Sequence, residues 1–252
     1  MLLIGLKVSP YSERAKWALD HHQLRYRYHE HVVLLEEPYL IWKSGSFSKA
    51  TVPMLLTHDG VVTDSYQIAK YSDARGGGSL LFPLESRAEI ERIHQLSEQT
   101  VDLERRLFMG KLLSDPDAQL EQFPWKLPVW LQKVMRPVVL TGVKFIAWSF
   151  SVQPETRVRD RQQLRVQLEE LRTLLKKGGK EYLLGQFTFA DITAAAMIHF
   201  FTPPEPQFFR CGPATRKIMT DPELALEFRD LVEWRDQLYH RHRRQGNQEV
   251  PQ

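Results

Sequence analysis

The first residues of this 252-residue chain whose types could do chemistry are Ser9-Pro10-Tyr11-Ser12, followed by Glu13 and Arg14. Either serine can cap a helix, and Pro10 is tolerated in a first helical turn. The free backbone N–H groups at a helix start point at whatever lies beside the turn, and the helix dipole favours an anion there. Taken alone, the tetrapeptide is a serine-capped helix behind an edge strand. Two further groups carry candidate chemistry. Val52 precedes Pro53 and can offer a backbone N–H and C=O to an extended peptide, in the manner of strand addition. Asp64-Ser65 stands before a helical pattern, with a capping residue at its start. Outside a larger context this pair too is an ordinary helix cap. The histidines show no H-E-x-x-H spacing, and Cys211 is the single cysteine, so no metal centre and no internal disulfide are expected.

The elements that must position these groups follow from periodicity. Leu2, Leu3, Ile4, Leu6 and Val8 form a nearly continuous apolar run, the pattern of a buried strand. Ser12 to His22 puts Ala15, Ala18, Leu19 and His22 on one helical face. From Arg25 to Val33 the chain alternates, with Tyr26 and Tyr28 to one side and Arg25, Arg27 and His29 to the other, which is strand spacing. Strand, helix and strand make a βαβ unit. Glu36 to Lys43 is a short helix or loop, and Ser44 to Lys49 a polar loop. A strand then begins at Thr51-Val52-Pro53, where the X-Pro bond can be cis. His58-Asp59-Gly60 is a turn signal, so Met54–Thr57 and Val61–Val62 pair as a hairpin. Asp64-Ser65 opens a helix through Ile68, Ala69, Tyr71 and Ser72.

Ser9-Pro10-Tyr11-Ser12 resembles the Cys-Pro-Tyr-Cys of glutaredoxins with both sulfurs replaced by oxygens, so a thiolate stabilised here has to arrive with a ligand. The order βαβ, Val-Pro before a hairpin, then an acidic residue and Ser opening a helix resembles the thioredoxin-like N-terminal domain of glutathione transferases over roughly the first 75 residues. Ser9-Pro10-Tyr11 with Arg14 is similar to that family's serine-type active-site motif, Val52-Pro53 to its Val and cis-proline, and Asp64-Ser65 to the pair that holds the γ-glutamyl end of glutathione. The resemblance implies glutathione as co-substrate. It implies Ser9 and Ser12 as the candidate catalytic hydroxyls, and Tyr11, Val52, Pro53, Asp64 and Ser65 around the ligand. Lys49 is the candidate for the ligand's glycine carboxylate. A free thiol is mostly protonated at neutral pH; a hydrogen bond from a serine plus the helix dipole favours the nucleophilic thiolate. Ser9 occupies the position of the first glutaredoxin cysteine and is the expected activator, with Ser12 the local cap.

Gly76-Gly77-Gly78-Ser79 is the clearest linker, and from Ser86 the chain reads as helical. Ile90, Ile93, Ser97, Thr100 and Leu107 share a stripe; Leu164, Leu168, Leu171 and Leu175 share another that ends before Gly178-Gly179. Thr188 and Asp191 form a capping-box-like pair, with Phe187 and Ile192 as hydrophobic staple, before an almost wholly apolar helix from Ile192 to Phe201. The pair resembles the capped central helix of the transferase C-terminal domain, where its role is folding. His199 on that helix reads as a core histidine rather than a ligand. The expected architecture is an α/β thioredoxin-like domain over 1–75, a linker over 76–85, an all-helical domain over 86–240, and a basic, disordered tail over 241–252. An insertion near 115–152, carrying Trp125, Trp130 and Trp148 among four prolines, departs from the family pattern. It reads as an extra buried helix pair, a wall over the electrophile pocket, or an interfacial membrane anchor.

Composition bounds the rest. With 34 basic and 31 acidic residues the chain is too balanced to point to nucleic acid. Charges within the apolar stretch from Val134 to Val152 argue against a membrane span. Met1 opens a short strand-like run, so no secretory signal is expected; a single cysteine suits a reducing, cytoplasmic compartment. The leading expectation is a homodimeric, serine-type glutathione transferase acting on small hydrophobic electrophiles, in detoxification or a related glutathione-dependent reaction. A non-catalytic binding or scaffold protein of the same fold is the alternative, possible membrane association being tied to the insertion. A glutaredoxin-like oxidoreductase is disfavoured by the lack of a thiol in the motif.

Overall fold

The computed structural model describes residues 1–33, 36–45, 50–122, 137, 140–144 and 154–243. Its N-terminal part is one four-stranded sheet in the order β2-β1-β3-β4. Strand β1 (Leu2–Gly5) leads into helix α1 (Pro10–His21), which returns the chain to β2 (Arg27–Glu30), parallel to β1. Helix α2 (Glu37–Ser44) follows. The hairpin of β3 (Met54–Leu56) and β4 (Val61–Thr63) then adds to the other side of β1, antiparallel throughout, and α3 (Ser65–Asp73) closes the unit.

The continuous apolar run of β1 has a direct cause: both faces of the sheet are covered. Successive residues of a strand point to opposite faces. Leu3 pairs with Leu55, and both bury among Ala15, Leu19 and Ile68 of α1 and α3. Ile4 pairs with Met54, and both bury with Leu40 of α2 on the opposite face. Gly5 ends β1 because α1 starts so close to it: a Cβ there would lie 2.7 Å from the Ser12 Oγ. The glycine-rich linker is likewise packed. A Cβ on Gly76 would stand 2.2 Å from that of His22, whose Nδ1 meets the Gly77 carbonyl at 2.8 Å and whose Nε2 meets Asp73 at 3.1 Å.

Beyond the linker the described chain is helical: α4 (Arg87–Leu112), α5 (Pro116–Leu120), α6 (Arg157–Lys177), α7 (Phe189–Ala196), α8 (Pro213–Met219), α9 (Pro222–Glu227) and α10 (Arg229–His242). The expected stripes face inward: Ile90, Ile93, Ser97 and Thr100 of α4, and Leu164, Leu168, Leu171 and Leu175 of α6, are buried. All eight residues of α7 are buried. Its start carries the Thr188/Asp191 capping box; Asp191 accepts the Thr188 N–H at 2.9 Å and reaches back to the Leu183 N–H at 2.8 Å. The apolar pattern runs on past the helix, which ends at Ala196 before a series of turns up to Phe201. His199 is fully buried in that series, its Nε2 2.7 Å from the Tyr239 hydroxyl, and burial holds its imidazole down at about 3.

The main core does not stop at the linker. Trp17, Ala18, Tyr66 and Ala69 of the sheet-bearing part pack into the same apolar cluster as α4, α6, α7 and α10. Of the 115–152 segment, α5 is described, and Val143 is buried against Phe108, Leu112, Ala118 and Phe209. The three tryptophans, and with them the wall and anchor readings, lie outside the described residues. The C-terminal end differs from expectation. Arg241 and His242 belong to α10, and Arg243 just beyond it is buried, because its guanidinium has carboxylate partners inside the protein. Residues 244–252 lie outside the described residues. Among the described residues no helix is long and apolar enough to cross a membrane.

Candidate functional site

Strand register brings three separate stretches to one end of the sheet. Ile4 and Thr63 both pair with Met54. The turn after β1, the Val52-Pro53 step before β3 and the Asp64-Ser65 step after β4 therefore sit side by side. The Val52–Pro53 peptide is cis. Helices α1 and α3 both start at this end, so the positive ends of two helix dipoles face the same place.

The two serines of the first turn have different surroundings. Ser9 is the N-cap of α1, with an extended backbone (φ −85°, ψ 124°), and its Oγ accepts the Ser12 N–H at 3.5 Å. It is half-buried. A hydroxyl that accepts in this way still has its own proton to donate. Ser12 is fully buried, and its Oγ accepts the Leu6 N–H at 3.0 Å, tying the end of β1 to α1. The sequence expectation made Ser12 the cap and kept it as a second catalytic candidate. Instead Ser9 caps the helix, and the Ser12 hydroxyl faces into the protein, held by the Leu6 N–H in the space that Gly5 leaves open.

Asp64 is the N-cap of α3, and its Oδ1 accepts the N–H groups of Tyr66 at 2.8 Å and Gln67 at 3.2 Å. Its backbone is unusual for a residue with a side chain, φ 73° with ψ 136°. Such a conformation costs on the order of 1–3 kcal/mol and persists where the surroundings impose it. Ser65 is fully buried, and its Oγ has no hydrogen-bond partner among the described residues. A buried hydroxyl left unsatisfied is uncommon in native proteins. Val52 is half-buried and Pro53 buried. Lys49 lies outside the described residues.

Arg14, named in the sequence as part of the motif, is a buried charge whose partners the sequence did not show. Arg14 is fully buried one turn into α1; its guanidinium pairs with Glu98 and meets the Ser97 Oγ of α4 at 2.6 Å. Half-buried Tyr11 has the Arg14 guanidinium 5.0 Å from its ring centroid and that of Arg105, from α4, at 5.7 Å. Burial and then the Glu98 charge push the Tyr11 hydroxyl above its ordinary range, against the pull of both arginines. The signal was available: Glu13 and Arg14 interrupt the buried side of α1 that Ala15 and Ala18 continue, and a charge on a buried side needs a partner. The partner's identity had no local cue.

Two family models match the chain: the glutathione S-transferase N-terminal domain over residues 3–79 and the glutathione S-transferase C-terminal domain over residues 154–238. The chain belongs to the glutathione S-transferase family. Solved structures show the same fold. A glutathione S-transferase from Methylobacillus flagellatus KT, solved with glutathione bound, superposes with a TM-score of 0.62 at 15% identity, covering 95% of each chain. A glutathione S-transferase domain-containing protein from Marinobacter aquaeolei VT8 gives 0.63 at 19% identity, covering 96% of this chain and 98% of the other. A glutathione S-transferase from Methylobacterium radiotolerans JCM 2831, in complex with glutathione sulfonate, gives 0.61 at 17% identity, over 95% and 90%. The comparison with curated proteins returned no match. In this family member the matched N-terminal segment contains every candidate residue of the site, and the matched C-terminal segment contains the capped helix α7.

Proposed function

We propose that the chain is a serine-type glutathione transferase that directs the glutathione thiolate at small hydrophobic electrophiles. The observation that carries the reading is Ser65: a buried hydroxyl without a hydrogen-bond partner among the described residues, at the start of α3, beside a capping Asp64 in a costly backbone conformation. A carboxylate at that helix start receives the hydroxyl, a backbone N–H and the dipole together, and an adjacent ammonium receives Asp64. The γ-glutamyl end of glutathione carries both charges on one carbon. The glutathione and glutathione sulfonate in two structures of the same fold support this choice of ligand.

An extended ligand starting at α3 runs past Val52 and brings its cysteine to the start of α1. Ser9 donates a hydrogen bond to the sulfur while its oxygen accepts the Ser12 N–H. A donor and a helix N-terminus both favour the charged form, so the thiol loses its proton to solvent and the thiolate attacks the electrophilic carbon, with the leaving group or opened ring taking the electron pair. Lys49 is proposed for the ligand's glycine carboxylate, and the segment with Trp125, Trp130 and Trp148 for the electrophile's wall. A homodimer in a reducing compartment completes the proposal, with detoxification as its role.

The test is an immobilised-glutathione column with a conjugation assay on a generic aryl halide. The protein should be retained and should conjugate. Ser9→Ala should still be retained, with turnover lower by about tenfold or more, equivalent to a thiol pKa raised by one unit. Retention without conjugation by the unmodified protein would favour the non-catalytic binding reading instead.

A further inference from the structure

The start of α1 is held by a residue from the other end of the described chain. Arg243, just past α10, is 9% exposed, and its Nε donates to Glu13 Oε1 at 2.7 Å while its Nη1 donates to Asp20. Both acceptors are on α1, 230 and 223 residues away in sequence. The second Glu13 oxygen lies 3.1 Å from Lys16 Nζ. The groups facing the cluster are Tyr26 before β2, whose hydroxyl bonds Asp20, Tyr239 on α10, and His199 after α7. Burial pushes the Glu13 carboxyl up, but the charges of Arg243 and Lys16 and the Arg243 hydrogen bond outweigh it and bring it down to about 2.

Glu13 is also bonded to the site through its backbone: its N–H donates to the Ser9 carbonyl at 3.1 Å, closing the first turn of α1. Arg243 therefore reaches the capping serine through one side chain and one backbone hydrogen bond. Its charge also balances two carboxylates buried within a few turns of the place where the thiolate sits. A buried ion pair of this kind adds little to stability over an apolar pair, and fixing one register is its best-attested use.

We propose that Arg243 is a positioning residue for the thiolate site, setting the first turn of α1, and with it the Ser9 hydroxyl, from the end of the helical domain. The inference rests on the reading of Ser9 as the thiol's hydrogen-bond donor. Losing Arg243 both loosens that turn and leaves Glu13 with Lys16 alone and Asp20 without its guanidinium, and each change raises the thiol pKa.

The experiment follows the ultraviolet absorbance of the bound thiolate against pH in the full chain, with kcat and KM for the aryl halide and a thermal melt alongside. Arg243→Met should raise the thiol pKa by about one unit, with a roughly tenfold fall in kcat at neutral pH and KM for glutathione changed less than threefold. Arg243→Lys keeps the charge but, as a point charge, does not reproduce the fork across two carboxylates; it should recover most of the shift. A superimposable titration for Arg243→Met overturns the proposal whatever the melt shows. If that variant fails to fold, Arg243→Lys decides: a smaller shift in the same direction supports the proposal, and none overturns it. Ser9→Ala in the same titration separates the two ideas. A shift there without one for Arg243→Met sinks the positioning role alone; no shift for Ser9→Ala sinks both.

Discussion

Ser65 gives the sharpest measurement at the scale of one residue. Removing a hydrogen bond normally weakens the folded state, but a buried hydroxyl with no partner among the described residues has no such bond there to lose. Ser65→Ala should therefore leave the midpoint of chemical unfolding unchanged or slightly raised, while glutathione affinity falls by about 1–3 kcal/mol, the value of a hydrogen bond to a charged group. Calorimetry and a denaturant titration of the same sample check both halves. A loss of stability with unchanged affinity would mean that the hydroxyl serves the fold. The two serines of the first turn illustrate how far sequence reaches at this scale. Their types and spacing located the turn, and the choice of Ser9 rested on family resemblance. What holds the Ser12 hydroxyl inward is the Leu6 N–H, in the space that Gly5 leaves open, which depends on how strand and helix meet and has no trace in the tetrapeptide.

At the scale of elements, α7 is where local pattern and structure agree most closely. A wholly buried helix has no solvent for the N–H groups of its first turn, so its cap must come from the chain itself. The Thr188 side chain takes the Asp191 N–H, and Asp191 in return takes the Thr188 N–H while its other oxygen ties down the Leu183 N–H before the helix. Asp191→Ala should cost about 2–3 kcal/mol, a lost cap plus buried donors left unmade, seen as a lower urea midpoint at an unchanged slope. The α4 and α6 stripes were legible for the same reason: the 3.6-residue period is written in the helix's own residues. The end of α10 was not. Arg241, His242 and Arg243 look like a solvated basic run, and what makes the last of them internal is carboxylates more than 200 residues away.

Across the whole molecule, the described residues of the two parts share one apolar core and are joined by ion pairs, half-open for Arg14 with Glu98 of α4 and buried for Arg243 with Glu13 of α1. Glu13 links this arrangement to pH. Its carboxyl titrates near 2 when folded and near the ordinary 4.5 when unfolded. A depressed carboxylate contributes stability that is complete above the unfolded value and is lost as pH falls through the folded one. Glu13→Gln should thus be less stable than the unmodified protein at pH 7, on the order of 3 kcal/mol for breaking a buried pair. The gap should narrow steadily between pH 4.5 and 2. A difference that is constant across that range would show that Glu13 is not the charged partner of Arg243.

The same bond has a consequence in time. A ribosome delivers α1 early and Arg243 some 230 residues later, about 10–50 s at ordinary synthesis rates. Throughout that interval Glu13 and Asp20 have no guanidinium to bury against, so the emerging α1 keeps a hydrated, acidic flank. The hairpin and the crossover can form before that, with the Glu13 and Asp20 side of α1 still open to water until the last helix docks.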